Sequence, residues 1–229
     1  MSNVECLFLS VLILKGEASF TIISYIQTIY MKKRYLVYLD NKNNYLPANS
    51  NNVLRSLRSL LQNYNLAEVR DARISSYFIE LDVITRNTFS LSADDHDFFG
   101  PINTIGSLIS LEELNEEADF LSQEDAVMSS IFLFNMERYW KSHEVLESVW
   151  KDSKGQTKSL LNGLILVDAA YVHFQKGEND IFFSILNRSL EKFKDYSEYF
   201  YDINMKFLLK DINTIMLTKS VFTIKIRMK

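Results

Sequence analysis

Residues 31–118 combine short segments of alternating apolar and polar positions with one stretch of helical spacing. Strict alternation predicts half-buried strands, and apolar residues three or four positions apart predict an amphipathic helix. The predicted elements are strands at 35–39, 66–74, 77–84 and 104–111, a helix at 53–61, and a short helix beginning at 94–97. This order, βαββαβ, predicts a small α+β domain of the ferredoxin-like kind.

Two polar groups in this first segment have ordinary structural explanations. The acidic stretch 94–97 could ligate a hard cation, but acids ahead of an apolar run are typical of a helix N-terminus. Arg70 and Arg73 lie on one predicted strand, and Glu80 and Asp82 lie on its neighbour, which predicts cross-strand ion pairs. Neither group predicts a catalytic site.

Residues 119–229 carry a helical pattern and contain no proline. The predicted helices are 122–134, 138–150, 158–175, 180–194 and 197–217. The first two helices, and then the third and fourth, form similar helix-turn-helix units about forty residues apart. We therefore expect an all-α helical-hairpin bundle over 119–229, joined to the first domain, 31–118, by an acidic linker at 112–117.

Residues 1–30 are expected to be an upstream extension that belongs to neither core. Their apolar run, 6–14, ends at Lys15 and is shorter than the roughly 20 residues that span a bilayer. No positive charge precedes the run, as it would in a secretory signal. Met31 is followed by a short basic stretch and then by the first predicted strand, so translation from Met31 is the alternative to translation from Met1.

Composition narrows the expected environment and the class of partner. The chain has 229 residues, of which 47% are hydrophobic, and its single cysteine, Cys6, cannot form an internal disulfide. These features favour a folded protein of the cytoplasm. The net charge is -4 and no segment is strongly basic, so neither nucleic acid nor a membrane is an expected partner. The basic end, 219–229, is expected to be a frayed tail or an added edge strand in preference to a nucleic-acid arm.

The chain concentrates its chemically capable side chains in the second predicted helix, 138–150. Tyr139, His143, Glu147 and Trp150 are spaced by four, four and three residues, so they are expected to share one helix face. The full set of candidate residues for a pocket or polar network is Asn135, Tyr139, Trp140, His143, Glu144, Glu147, Trp150, Asp168 and His173.

The second and third predicted helices are expected to pack antiparallel, because only a short turn separates them. This pairing places His143 level with Leu166 and close to Asp168. His173 then lies about 10 Å further along the helix axis, too far from His143 for the two to share one zinc ion.

The segment 134–150, taken together with Gly155, Gly163 and His173, resembles the signature of an uncharacterised helical family, the domain of unknown function 309. The resemblance covers about 134–195, and several spaced residues match together. It implies an all-helical fold for this part of the chain. It implies no activity, because the family has none assigned.

Three interpretations of the candidate site are open. In the first, Glu144 or Glu147 and Asp168 hydrogen-bond His143 and the indole N–H groups in a buried network. In the second, His143 and Glu147, with Asp168 as a further donor, form a pocket for a ligand or a divalent metal. In the third, His143 carries protons in an acid–base enzyme, with Glu144 or Glu147 as its partner.

The expected function is binding or interaction through the helical region, with a protein or a small ligand as the partner. The alternative is a metal-dependent or acid–base hydrolase that uses His143, Glu144 and Glu147. The apolar third helix is also consistent with a homo-oligomer. The sequence contains no glycine-rich phosphate loop, nucleophile elbow or cysteine pair, which disfavours phosphoryl transfer, serine acyl transfer and thiol redox chemistry.

Overall fold

The structure is a computed structural model that describes residues 33–86, 89–114, 121–194 and 198–229. The expected extension 1–30, the alternative start at Met31 and the end of the expected linker lie outside the described residues.

The first half of the described chain is an antiparallel sheet with helices on one face. Its elements are β1 (Arg34–Asp40), α1 (Ser50–Leu60), β2 (Ala67–Ile74), β3 (Phe78–Thr85), α2 (His96–Ile102) and β4 (Leu108–Glu113). The sheet order is β2-β3-β1-β4, and every neighbouring pair is antiparallel. The predicted α+β class of this segment is therefore confirmed.

Both faces of the central strand β1 are buried, which explains its nearly continuous apolar sequence. Tyr35, Val37 and Leu39 join one hydrophobic core with residues of α1 and α2. Leu36 and Tyr38 point to the opposite face, because side chains alternate along a strand, and they are only 0% and 4% exposed. The second face of the sheet is thus covered as well, and the Tyr38 hydroxyl accepts a hydrogen bond from Arg138 at 2.9 Å.

The predicted helix cap and one of the predicted ion pairs between β2 and β3 are observed in this half. The Asp95 side chain caps α2 by accepting a hydrogen bond from the Phe98 N–H at 3.0 Å. Arg73 and Glu80 form a cross-strand ion pair, with Nε and Oε1 2.5 Å apart. Asp82 instead accepts two hydrogen bonds, of 2.8 and 2.9 Å, from Arg34 of β1.

The second half of the described chain is helical, as predicted. Its helices are α3 (Gln123–Asn135), α4 (Tyr139–Trp150), α5 (Gly155–Gln175), α6 (Asn179–Lys192) and α7 (Met205–Thr218), with a hairpin of β5 (Tyr199–Phe200) and β6 (Ile203–Asn204) before α7. These helices bury a second hydrophobic core, separate from that of the sheet. Within the described residues, none of the helices combines the length and apolar character needed to cross a bilayer.

The prediction of a fifth helix over 197–217 is wrong at its start. The helix α7 begins only at Met205, because Tyr201 and Asp202 have left-handed backbone angles, with φ of 44° and 62°. Such angles cannot continue a right-handed helix. They form the turn between β5 and β6, and Asn204 then caps α7 by accepting from the Phe207 N–H.

The basic end of the chain is not frayed. Ile224 and Ile226 are buried in the helical core, and Met228 pairs with Ile203 as an isolated β-bridge. The Asn135 side chain holds this segment by accepting from the Ile226 N–H at 2.8 Å and donating to the Ile226 carbonyl at 2.9 Å. On the other side, the Tyr171 hydroxyl donates to the Phe222 carbonyl at 2.7 Å.

The first part of the expected linker belongs to the sheet. Glu112 and Glu113 end β4 and pair with β1, so they do not form a free connection. Glu112 also accepts a hydrogen bond of 2.5 Å from Arg138, the residue that precedes α4. A charged pair therefore joins the end of the sheet to the helix that carries most of the predicted site residues.

Candidate functional site

The helix α4 buries a face that is offset from the predicted one. Its buried residues are Tyr139, Ser142, Leu146 and Val149, whereas the prediction placed His143 and Glu147 on the buried face. Since α4 packs against both α3 and α5, its small and apolar residues occupy the contact between the helices. His143 and Glu147 consequently lie at the edge of that contact, where solvent reaches them.

The His143 imidazole is held in one orientation by the neighbouring helix. Its Nδ1 lies 3.3 Å from the Ile165 carbonyl oxygen on α5, and its side chain is 20% exposed. A carbonyl oxygen only accepts hydrogen bonds, so Nδ1 must carry the proton for this bond to form. The Nε2 lone pair is then free in the neutral ring, and Nε2 lies 3.6 Å from Glu147 Oε1.

Three donor side chains converge at this edge of α4. One ligand atom from each of His143, Glu144 and Glu147 lies within 4.8 Å of the other two. Glu144 is exposed and the Glu147 side chain is 42% exposed, so both carboxylates can rotate without disturbing the core. An imidazole nitrogen with two carboxylate oxygens is a donor set that suits Zn²⁺ and similar divalent cations.

The Trp140 ring lies between this cluster and two arginines of the sheet. Its ring is nearly parallel to the His143 ring, at 12° with centroids 6.1 Å apart. The guanidinium carbons of Arg34 and Arg73 lie 5.2 and 5.3 Å from the Trp140 ring centroid, close enough for cation–π attraction. Trp140 therefore links the arginines of the sheet to the His143 cluster.

The predicted network of hydrogen bonds around the indoles is wrong. In the described part of the chain, the buried Nε1 atoms of Trp140 and Trp150 have no hydrogen-bond partner. Trp150 is instead covered by Lys158, whose Nζ lies 4.8 Å from the ring centroid. Both indoles contribute apolar surface and π faces, because neither is positioned to bond a carboxylate of α4 or α5.

Asp168 faces Ser142 and does not hydrogen-bond His143. The Asp168 Oδ2 and Ser142 Oγ atoms are 3.0 Å apart, and Ser142 Oγ is also 3.0 Å from the Ser130 carbonyl. Burial raises the pKa of the Asp168 carboxyl well above its usual range, although the Ser142 hydroxyl opposes that rise. A protonated Asp168 can donate to Ser142, which leaves the serine proton for Ser130.

The remaining predicted site residues have separate structural positions. Asn135 holds the C-terminal segment, and Tyr139 is a core residue, 2% exposed, in ring contact with Phe134 and Tyr171. Burial raises the pKa of the Tyr139 hydroxyl well above its usual range. His173 lies at the C-terminal end of α5 and pairs with Glu178, with Nδ1 and Oε2 2.5 Å apart.

Sequence reasoning missed the contribution of the sheet to this region. Arg34 and Arg73 were expected only in strand pairing or not at all, yet both approach Trp140. The sequence feature that could have indicated it is the presence of Arg73 and Glu80 among the apolar residues of two neighbouring strands. Charged side chains are rarely buried without partners, so these two predict that further residues cover that face of the sheet. Ser142 had no comparable signal, because a helical serine is usually unremarkable.

Comparison with protein families matches residues 128–184 to the model of a domain of unknown function, DUF309. The resemblance inferred from 134–150 and its neighbours is therefore confirmed for this helical region. Among solved structures, a conserved hypothetical protein, TTHA0068, from Thermus thermophilus is 24% identical, and the similarity covers 39% of this chain and 93% of that chain with a TM-score of 0.35. Comparison with curated proteins gave no match.

Proposed function

We propose that the helical region binds a divalent metal ion through His143, Glu144 and Glu147. The observation that supports this proposal best is the orientation of His143, whose Nδ1 meets the Ile165 carbonyl while Nε2 faces Glu147. Histidine ligands in metalloproteins are commonly oriented in this way, by a hydrogen bond from the other ring nitrogen to a backbone carbonyl. That bond fixes the tautomer that a metal ion needs.

The spacing of the donors also suits a metal ion after a small adjustment. Ligand atoms around a tetrahedral zinc ion lie roughly 3.3 Å from one another, since each is about 2 Å from the metal. The three donors are within 4.8 Å of one another, and the two carboxylates lie on the solvent side of α4. Rotation of two exposed glutamates would close the difference without moving the helix.

Metal binding explains the cluster better than a purely structural network does. A structural network requires buried groups that satisfy one another, and here the indole N–H groups are unpaired and Asp168 is directed to Ser142. The acidic groups at His143 remain accessible to solvent, which a binding site requires. These observations support the proposed metal-binding role at the edge of α4.

The test is isothermal titration calorimetry of the full-length protein with Zn²⁺, carried out after any bound metal has been removed. The substitution His143→Ala should weaken Zn²⁺ binding at least about 100-fold, the upper end measured for loss of a second-shell partner. The matched control is His173→Ala, because His173 also pairs with a glutamate, Glu178, but has no second carboxylate in its group among the described residues. Equal affinity in wild type and H143A, with circular dichroism unchanged, contradicts the proposal.

A metal-dependent hydrolase is the second candidate, and the exposure of Glu144 supports it. If His143 and Glu147 alone hold the ion, coordination positions stay open for water, and the free Glu144 carboxylate beside the ion can accept a proton from that water. Zinc-loaded wild type should then hydrolyse an activated ester such as p-nitrophenyl acetate faster than free Zn²⁺ does. Glu144→Gln should lower that rate by about 100-fold if Glu144 is the base. An unchanged rate argues against the hydrolase and in favour of metal binding without catalysis.

We also propose a ferredoxin-like assignment for the sheet region and two domains for the chain. The order β2-β3-β1-β4 and the crossing positions of α1 and α2 support the first assignment. The two separate hydrophobic cores support the second. Calorimetry that finds a single unfolding transition under all conditions is the result that argues against two independently folding units.

A further inference from the structure

A cleft of about 340 Å³ opens at a place that none of the His143 cluster residues lines. It is enclosed by the loop after β1, the turn between β2 and β3, the turn between α3 and α4, the end of α5 and the C-terminal segment. The lining residues that matter for its chemistry are Asn44, Tyr45, Ser76, Glu137, Phe174 and Phe222.

Glu137 places a buried carboxylate in the wall of this cleft. The residue is 5% exposed, and its Oε2 accepts a hydrogen bond from the Ser76 N–H at 2.8 Å. Its backbone carbonyl accepts from Gln175 Nε2 at 2.9 Å. In the regions that the structure describes, no lysine, arginine or histidine forms an ion pair with Glu137.

A buried carboxylate without a cationic partner is energetically unfavourable. Removing a charge from water costs several kcal/mol unless an opposite charge or several donors replace the solvent. A single backbone N–H from Ser76 replaces only part of that hydration. The carboxylate of Glu137 is thus suited to a positive group that enters the cleft from outside.

The other walls favour an organic cation over a bare metal ion. Tyr45, Phe174 and Phe222 contribute aromatic surface to the same cleft. Aromatic faces attract ammonium groups and also pack against the alkyl chain that carries them. Divalent metal ions are usually held by more than one carboxylate or imidazole, whereas the lining offers a single carboxylate among neutral polar and aromatic residues.

The backbone of the cleft is held in a strained form. Glu137 and Asn44 both have left-handed angles, with φ of 62° and 52°, and both line the cleft. Non-glycine residues adopt such angles at a cost of about 1 kcal/mol or more, and they concentrate at binding sites. At residue 137 this conformation ends helix α3, where the Glu137 N–H donates to the Phe134 carbonyl and the Arg138 N–H donates to the Leu133 carbonyl.

We propose that the cleft binds a small primary ammonium ion, with the ammonium group on the Glu137 carboxylate and the carbon chain against the aromatic walls. The cleft volume is at the lower end of the roughly 300–1,000 Å³ of ligand pockets, which favours a small amine. This site is independent of the metal site on α4.

Titration of the full-length protein with n-butylammonium chloride, followed by amide chemical shifts, tests the proposal. Neutral n-butanol and matched sodium chloride serve as controls for the alkyl chain and for ionic strength. We expect the ammonium ion to shift residues that line the cleft and to bind about tenfold or more tightly than n-butanol, because only the ion pairs with Glu137. Equal affinity for the two probes, or shifts confined to other surfaces, overturns the proposal.

Glu137→Gln keeps the acceptor for Ser76 and removes only the charge, so it should erase the preference for the ammonium ion. Glu137→Gly is the second variant, since glycine adopts φ near 62° readily and should fold even if E137Q does not. Glu178→Gln is the matched control, because Glu178 is a partly buried carboxylate that does not line the cleft. Zn²⁺ affinity should be unchanged in all three variants, and ammonium selectivity that survives in both E137Q and E137G refutes the site.

Discussion

Gly163→Ala should lower the free energy of unfolding by about 2 kcal/mol. A Cβ at this position would lie closer than 3.0 Å to three ring atoms of Phe193, which follows α6 and is only 3% exposed. Overpacking of this kind costs about 1–3 kcal/mol, and a ring within a packed core leaves little room to relax. Replacing glycine by alanine within a helix gains about 1 kcal/mol of helix propensity. An overpacking cost of about 3 kcal/mol then leaves the net loss of about 2 kcal/mol.

The matched control for this prediction is Gly100→Ala in α2. Apart from its chain neighbours, a Cβ at Gly100 meets nothing within 4 Å, but Gly100 precedes Pro101, whose ring disfavours helical backbone for a preceding residue with a Cβ. The gain in helix propensity and this local restriction oppose each other, so G100A should change stability much less than G163A. Urea unfolding of both variants measures the two free energies. A loss in G163A that G100A does not show supports close approach of α5 and the segment after α6, and a stabilised G163A shows that the two are not in contact.

Asp168→Asn should raise stability at neutral pH and flatten its dependence on pH. Burial raises the pKa of Asp168 in the folded protein, whereas the unfolded carboxyl titrates near about 3.9. Between those two pKa values the unfolded state loses a proton that the folded state keeps. Stability contributed by this group is therefore fully present below about pH 4 and falls by about 1.4 kcal/mol per pH unit above it, until the folded carboxyl ionises.

The asparagine amide can replace the protonated carboxyl as the donor to Ser142, so D168N should keep the contact without the titration. Urea unfolding at a series of pH values from 4 to 8 measures the effect, and the advantage of D168N should grow as the pH rises. Asp94→Asn is the control, because Asp94 is exposed. Parallel stability curves for wild type and D168N would mean that Asp168 is ionised in the folded protein.

Local sequence patterns were sufficient to predict most elements of the fold. Alternation identified β2 and β3, with Ser75 and Ser76 at the turn between them, and aromatic and branched residues identified β1. The fourth strand was predicted at 104–111 and lies at Leu108–Glu113. The hairpin of β5 and β6 was missed, because each strand has two residues and its turn uses Tyr201 and Asp202 instead of glycine. The N–H of the buried Ile224 donates to the Tyr171 hydroxyl, a contact between residues distant in sequence that periodicity does not reveal.

Sequence patterns predicted which residues of α4 and α5 lie level with one another, but not which face of α4 is buried. Antiparallel packing of α4 and α5 placed His143 opposite 165–168, and the structure brings His143 to Ile165 and Ser142 to Asp168. The side chain that meets Asp168 is one position away from the expected one. A helix rotates by about 100° per residue, so contacts with α3 decide which residue is buried, and those contacts are not encoded in α4 alone.

Trp140 and Trp150 are the chain's two tryptophans, and both belong to α4. Their indole rings lie beside different cations, Trp140 near Arg34 and Arg73 and Trp150 near Lys158. Ultraviolet light that excites only indole therefore reports on α4 alone, because both tryptophans of the chain belong to this helix. Emission from that helix offers an optical reporter of events at its surface, without any attached dye.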